Sequence, residues 1–115
     1  MKRGDIVIVD YPYSDKGGSK VRPALVVQAD AKNNQLTDTI IALITSRLHR
    51  LLDTHLVIDI ATPAGKRTGL RLQSAVQCEN LYTIDQKMVL TTIGKLGADA
   101  MRQIDDKLRL ALALV

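Results

Sequence analysis

The apolar residues of this chain come in short bursts. The longest unbroken runs, residues 40–44 and 110–115, hold only five and six side chains. A helix that crosses a bilayer needs about 20, so no membrane span is expected. Bursts of this length, rich in β-branched residues and bounded by Gly, Pro, Asn and Asp, prescribe strands. Residues 6–11 (Ile-Val-Ile-Val-Asp-Tyr) form the first. Residues 12–22 contain Gly17-Gly18, are mostly polar and show no apolar period, so they read as a loop. That loop is longer than the 2–5 residues or so of a hairpin turn, and long loops within small domains often bind or cover a ligand.

Pro23 is expected to start a second strand that continues through residue 28, where its missing N–H is tolerated. Residues 29–38 read as a polar turn around Asn33-Asn34. Residues 39–45 are nearly all apolar and predict a strand buried on both faces. Residues 46–52 are mixed, either a loop or one helical turn. Residues 54–60 alternate Leu56, Ile58 and Ile60 with His55, Val57 and Asp59, the pattern of a half-buried strand. A basic turn (63–69), an alternating strand (70–79), a short helical connector (81–88) and a strand (89–96) follow.

Only at the end does the period lengthen. Met101, Ile104, Leu108 and Leu112 lie three to four apart, with Gly97 or Asp99 placed to cap an amphipathic helix. The expectation is a mainly β fold of five or six short strands, curved or partly closed into a barrel, with one terminal helix. At 115 residues it should be a single domain spanning 1–115.

Charge is unevenly distributed. Residues 1–78 carry eleven basic and seven acidic side chains, whereas residues 79–115 carry five of each. The net +4 therefore lies in the first two-thirds, which suits either a polyanionic partner or a solubilising surface. Tyr11, Tyr13 and Tyr82 are the only aromatic residues, too few for a nucleic-acid binder built on rows of stacked rings. Asp5 stands where a signal peptide would begin its apolar region, so a cytoplasmic location is expected.

Most catalytic constellations are missing. The sequence has no phosphate-binding loop motif and no His-Glu-x-x-His. The only cysteine, Cys78, excludes an internal disulfide and reads as a structural thiol. His49 and His55 lack a third ligand nearby, so no metal and no cofactor are expected. Glu79, the only glutamate, reads as a hydrogen-bonded strand-end residue. What remains is Arg22 at the end of the long loop and the hydroxyls of Thr45 and Ser46 at the end of the buried strand. Such residues usually sit in solvent or satisfy backbone groups, and on spacing alone an enzyme and a binding module stay equally open.

Several segments taken in order go further. Arg3-Gly4-Asp5-Ile6-Val7, Val21-Arg22-Pro23-Ala24-Leu25-Val26-Val27, Ile41-Ala42-Leu43-Ile44-Thr45-Ser46 and Thr54-His55-Leu56-Val57-Ile58-Asp59 come first. Thr68-Gly69-Leu70, Ser74, Glu79-Asn80-Leu81 and Thr83-Ile84-Asp85 complete the series. Together they resemble the MazF/PemK family of toxin endoribonucleases over almost the whole chain. The resemblance implies a small SH3-like barrel of five to seven strands with a C-terminal helix, acting as a homodimer. It implies sequence-specific, ribosome-independent and metal-independent cleavage of single-stranded messenger RNA, leaving 2′,3′-cyclic phosphate and 5′-hydroxyl ends. It also implies a cognate antitoxin whose acidic tail occupies the RNA groove.

By motif, Arg22 and Thr45 correspond to the family's catalytic pair and residues 13–20 to its gate loop. Lys20, Ser46, His55, Ser74 and Gln77 correspond to positions at the RNA groove. Some relatives carry a histidine in the first loop as a base, and this loop has none. Two other readings belong to the same superfamily: a gyrase-binding toxin without nuclease activity, and an inactive RNA- or protein-binding barrel. The gyrase-binding branch relies on a C-terminal tryptophan, which this chain lacks.

Overall fold

A computed structural model of the chain describes residues 1–12 and 19–115. Its strands are β1 (Asp5–Pro12), β2 (Ser19–Val26), β3 (Asp38–Thr45), β4 (His55–Ile58), β5 (Ser74–Asp85) and β6 (Val89–Lys95). The helices are α1 (Asp30–Gln35), α2 (Pro63–Lys66) and α3 (Ala98–Leu112). The six strands form one antiparallel sheet in the order β4-β5-β3-β2-β1-β6. Among the described residues, no helix is long and apolar enough to cross a membrane.

The unbroken apolar run in β3 follows from burial on both faces of the sheet. Ile6, Leu25, Ala42 and Ile44 pack with Ile58, Val76, Cys78, Leu96 and Ile104. Their strand neighbours Val7, Val9, Ala24, Val26, Ile41 and Leu43 pack with Ile84 in a second cluster. Helix α3 covers the first cluster: Ile104 is fully buried, with Ala100, Met101 and Leu108 packed beside it. Gly97 occupies its N-cap, and Asp99 lies in the first turn, where its charge suits the helix dipole.

Four local expectations are corrected. The polar turn at 29–38 contains helix α1, because Asn33 faces inward. Its side-chain oxygen accepts from Gln28 (2.9 Å) and Thr39 (2.7 Å), and its amide donates to the Gln28 carbonyl (3.1 Å). The first long loop is shorter than expected, since β1 extends through Pro12 and β2 starts at Ser19, leaving Pro23 inside β2 opposite Ile8. Strand β4 covers only His55–Ile58.

The fourth correction concerns the expected strand at 70–79 and connector at 81–88. Strand β5 instead runs from Ser74 to Asp85, followed by a short 3-10 turn at Gln86–Met88. Its register against β3 shifts between Ile44↔Val76 and Ala42↔Leu81, which marks a bulge over residues 77–80. A bulge re-aims side chains and breaks simple alternation. Residues 70–73 lie outside the sheet; the Gln73 side chain accepts from the Ile60 N–H (2.7 Å) and donates to Asp59 (2.9 Å).

Candidate active site in a basic cleft

The ends of β2 and β3 bring Arg22 and Thr45 together. The pairing of these strands runs Val26↔Ile41, Leu25↔Ala42, Ala24↔Leu43. The pairing ends there; by strand alternation Arg22 falls on the face of Ala24 and Val26, and Thr45 on the face of Ile41 and Leu43. On the other side Arg22 pairs with Val9 of β1. Side chains two apart along a strand share a face, so the arginine and the threonine extend two buried apolar rows to the edge of the core.

They open into a cleft of about 870 Å³. Its lining includes Arg22, Thr45, Ser46, Arg47, Arg71, Ser74, Gln77 and Asn80. The apolar part comes from residues such as Leu43, Ile44, Leu70, Leu72 and Ile93. Three arginines and no carboxylate stand among the described lining residues. A concave surface of one sign concentrates field and favours an anion.

The hydroxyls and amides are arranged in different ways. Thr45 Oγ1 accepts from the Arg47 N–H (3.0 Å), so its own proton stays available to a ligand. Ser46 is exposed. Ser74 lines the cleft but is nearly buried, with its hydroxyl donated to the Leu72 carbonyl (2.7 Å). At the bulge Asn80 donates to Gln77 Oε1 (3.0 Å). Tyr11 and Tyr82, both on the lining, pack edge to face with centroids 4.7 Å apart.

Residues 2–112 match the family model described as PemK-like, MazF-like toxin of type II toxin–antitoxin system. The chain belongs to this toxin family. It is 34% identical to Endoribonuclease EndoA of Bacillus subtilis (strain 168) over 119 aligned residues, covering 100% of this chain and 97% of that protein. Among solved structures it is similar to Mycobacterium tuberculosis toxin MazF-mt6, with a TM-score of 0.78, 27% identity, and coverage of 96% of this chain and 98% of that one. A Deinococcus radiodurans MazE-MazF structure gives the same TM-score of 0.78 at 18% identity, covering 100% and 98% of the two chains, a likeness of fold.

Within this toxin fold the predicted site residues separate into groups. Arg22, Thr45, Ser46, Ser74 and Gln77 all line the cleft. The Lys20 backbone pairs with Tyr11, while its side chain lies outside the described part. Of the expected gate loop, residues 13–18 lie outside the described residues. Among other basic residues of the first two-thirds of the chain, Arg47 lines the cleft, but Arg50, Lys66 and Arg67 do not.

His55 does not line the cleft. Its ring is buried and bonded through Nε2 to Glu79 (3.0 Å) and through Nδ1 to the Leu52 N–H (3.2 Å). Glu79 also accepts from Thr54 Oγ1 at 2.6 Å. Burial pushes the Glu79 carboxyl up, but the hydrogen bonds from Thr54 and His55 together hold it below its ordinary value. Next to it, burial raises the Cys78 thiol to about 11, with a further push from the Glu79 charge. Cys78 therefore stays protonated and inert at neutral pH.

Arg71 and Asn80 also line the cleft, although the sequence assigns no site role to either, and Asn80 enters only as part of the Glu79-Asn80-Leu81 segment. In an alternating strand Arg71 would merely face solvent between Leu70 and Leu72. Because 70–73 leaves the sheet, it reaches the cleft instead. The closeness of Arg71 to Lys66 and Arg67 was the only hint in the sequence.

Proposed function

We propose that this chain is an endoribonuclease that cuts single-stranded messenger RNA in the cleft, with Arg22 and Thr45 at the reacting phosphate. The observation that carries the reading is that Arg22 and Thr45 line one cleft, with two further arginines and no carboxylate among its described residues. The endoribonuclease name of the Bacillus relative supports the same reading.

RNA supplies its own nucleophile. Attack of the 2′-hydroxyl oxygen on the adjacent phosphorus forms the new P–O bond, and the bond to the 5′-oxygen breaks. The products are a 2′,3′-cyclic phosphate and a 5′-hydroxyl, with one proton leaving the 2′-oxygen and one reaching the 5′-oxygen. The protein must hold the two oxygens in line and stabilise the charge that grows on the phosphoryl oxygens. Arg22 suits that second task, because a planar guanidinium binds two such oxygens at once. The Thr45 hydroxyl donates to a phosphoryl oxygen or orients the 2′-hydroxyl. Ser46, Gln77, Arg47 and Arg71 hold the flanking nucleotides, and base choice follows from their donors and acceptors.

Cleavage needs no divalent ion in this reading, because the charge work falls to arginine. Among the described residues no group of three His, Cys, Asp or Glu side chains is placed to hold a metal. The chain acts as a single-domain homodimer in the cytoplasm. The exposed leucines 110, 112 and 114 at the end of α3 and the edge strand β6 offer contact surfaces. A cognate acidic antitoxin competes with RNA for the basic cleft. Solved relatives include a mycobacterial endoribonuclease with its cognate antitoxin.

The test is digestion of a long RNA in excess EDTA, with chemical analysis of the new ends. Undiminished cutting that leaves cyclic phosphate and 5′-hydroxyl ends is expected. Activity that vanishes in EDTA and returns with a divalent cation would overturn the metal-free reading.

A further inference from the structure

The loop of residues 46–53 carries Ser46 and Arg47 into the cleft, yet apolar burial does little to fix it. Leu51 and Leu52 are 47% and 56% exposed. Its anchors are hydrogen bonds. At the cleft end, the Arg47 N–H donates to Thr45 Oγ1. At the far end both backbone groups of Leu52 go to one residue: its N–H donates to His55 Nδ1 (3.2 Å) and its carbonyl accepts from the His55 N–H (3.1 Å). Lys107 Nζ adds a bond to the Asp53 carbonyl (2.9 Å).

These bonds fix the state of the ring. Nδ1 can accept only if it is unprotonated, so the proton sits on Nε2, facing Glu79 Oε2. Glu79 is held in its charged form by Thr54 and His55, and a charged carboxylate only accepts, which calls for the same tautomer. The carboxylate orients the imidazole, and the imidazole holds Leu52.

We propose that His55 is a positioning residue of this toxin: locked as the Nε2–H tautomer by Glu79, it clamps the 46–53 loop and so sets Arg47 at the rim of the RNA cleft. The inference rests on the ribonuclease reading for its consequence and on the hydrogen bonds for its mechanism. It gives His55 a role other than RNA contact, in keeping with a ring that is only 4% exposed.

Two near-isosteres separate the two ring nitrogens. The Asn side-chain oxygen reaches the place of Nδ1 and accepts from Leu52, but cannot reach Glu79. The Gln amide reaches the place of Nε2 and donates to Glu79, but leaves the Leu52 N–H unpaired. For His55→Gln, the Leu52 amide should lose its protection from hydrogen exchange. The kcat/KM for RNA should fall about tenfold, mostly through KM, the scale of one buried hydrogen bond. His55→Asn should keep the protection and recover cleavage to within about threefold. Arg47→Ala should cost less in the His55→Gln background than in wild type, since both changes act on one contact.

In wild type, nitrogen-15 spectra should show Nδ1 unprotonated and Nε2 protonated, a readout that needs no variant to fold. A protonated Nδ1 would overturn the proposal, as would equal Leu52 exchange in His55→Asn and His55→Gln, or additive losses with Arg47→Ala. Wild-type protein that cuts no RNA would contradict the ribonuclease reading instead, with the exchange and tautomer results still deciding the clamp.

Discussion

Thr39 and Thr45 stand on the same face of the same strand, six residues apart, and do opposite work. Thr39 is fully buried and donates to Asn33, whose side chain is also bound by Gln28. Gln86 closes the same region by donating to the carbonyls of Asn33 and Leu36 (2.8 and 3.0 Å). At that end the protein satisfies its polar groups with its own. At the other end Thr45 accepts from one backbone N–H and lies in a cleft whose described lining holds three arginines and no carboxylate. Polar residues that satisfy one another hold the fold. Basic residues gathered in a hollow favour an anionic ligand.

The sharpest way to break that contrast is to remove the methyl-sized difference at each end. Thr45→Val keeps the shape and loses the hydroxyl. Cleavage is expected to fall by about 100-fold or more, the usual cost of one preorganised donor at a charged transition state, with the melting temperature nearly unchanged. Thr39→Val should do the reverse. It should cost about 1–2 kcal/mol of stability, read from a denaturant midpoint, because Asn33 loses a buried partner. Cleavage per folded molecule should not move. Equal effects of the two variants on both readouts would erase the distinction.

A smaller effect is expected at the rim. Arg71→Ala should raise KM several-fold with little change in kcat, and should lower the salt dependence of RNA binding by about one phosphate contact. An unchanged salt slope would place Arg71 outside the RNA path.

The smallest effect is electrostatic and concerns the interior. Glu79 is held below its ordinary value of 4.5, so the folded protein takes up that proton less readily than the unfolded chain. Its contribution to stability is therefore complete above pH 4.5 and is lost as the pH falls through the lower folded value. The acid limb of the melting-temperature profile should be shallower in Glu79→Gln than in wild type. Equal limbs would mean that Thr54 and His55 do not favour the charged carboxylate.

Much of this was legible in the sequence, and the reasons for the rest are specific. The apolar runs of β1, β2 and β3 and the three-to-four spacing of α3 gave the sheet and its helix, because burial on two faces or on one stripe leaves a direct pattern. Motif order named Arg22 and Thr45, but only the register of β2 against β3 shows that they share a face. Helix α1 was missed because its inward residue is Asn33, and polar satisfaction leaves no hydrophobic period. The course of β5 was missed because the bulge at 77–80 breaks the alternation. His55 was assigned to the groove by its place in a motif. Its ring instead bonds to Glu79, 24 residues later, a pairing that only the β4–β5 register brings about.

The central claim is that the meeting of Arg22 and Thr45 is a catalytic site for RNA. Primer extension on a long RNA treated with wild type and Arg22→Ala in parallel tests it most directly. Discrete stops with wild type, and none with an Arg22→Ala protein of unchanged fold, are predicted. Stops of equal strength and position with both proteins would contradict the account.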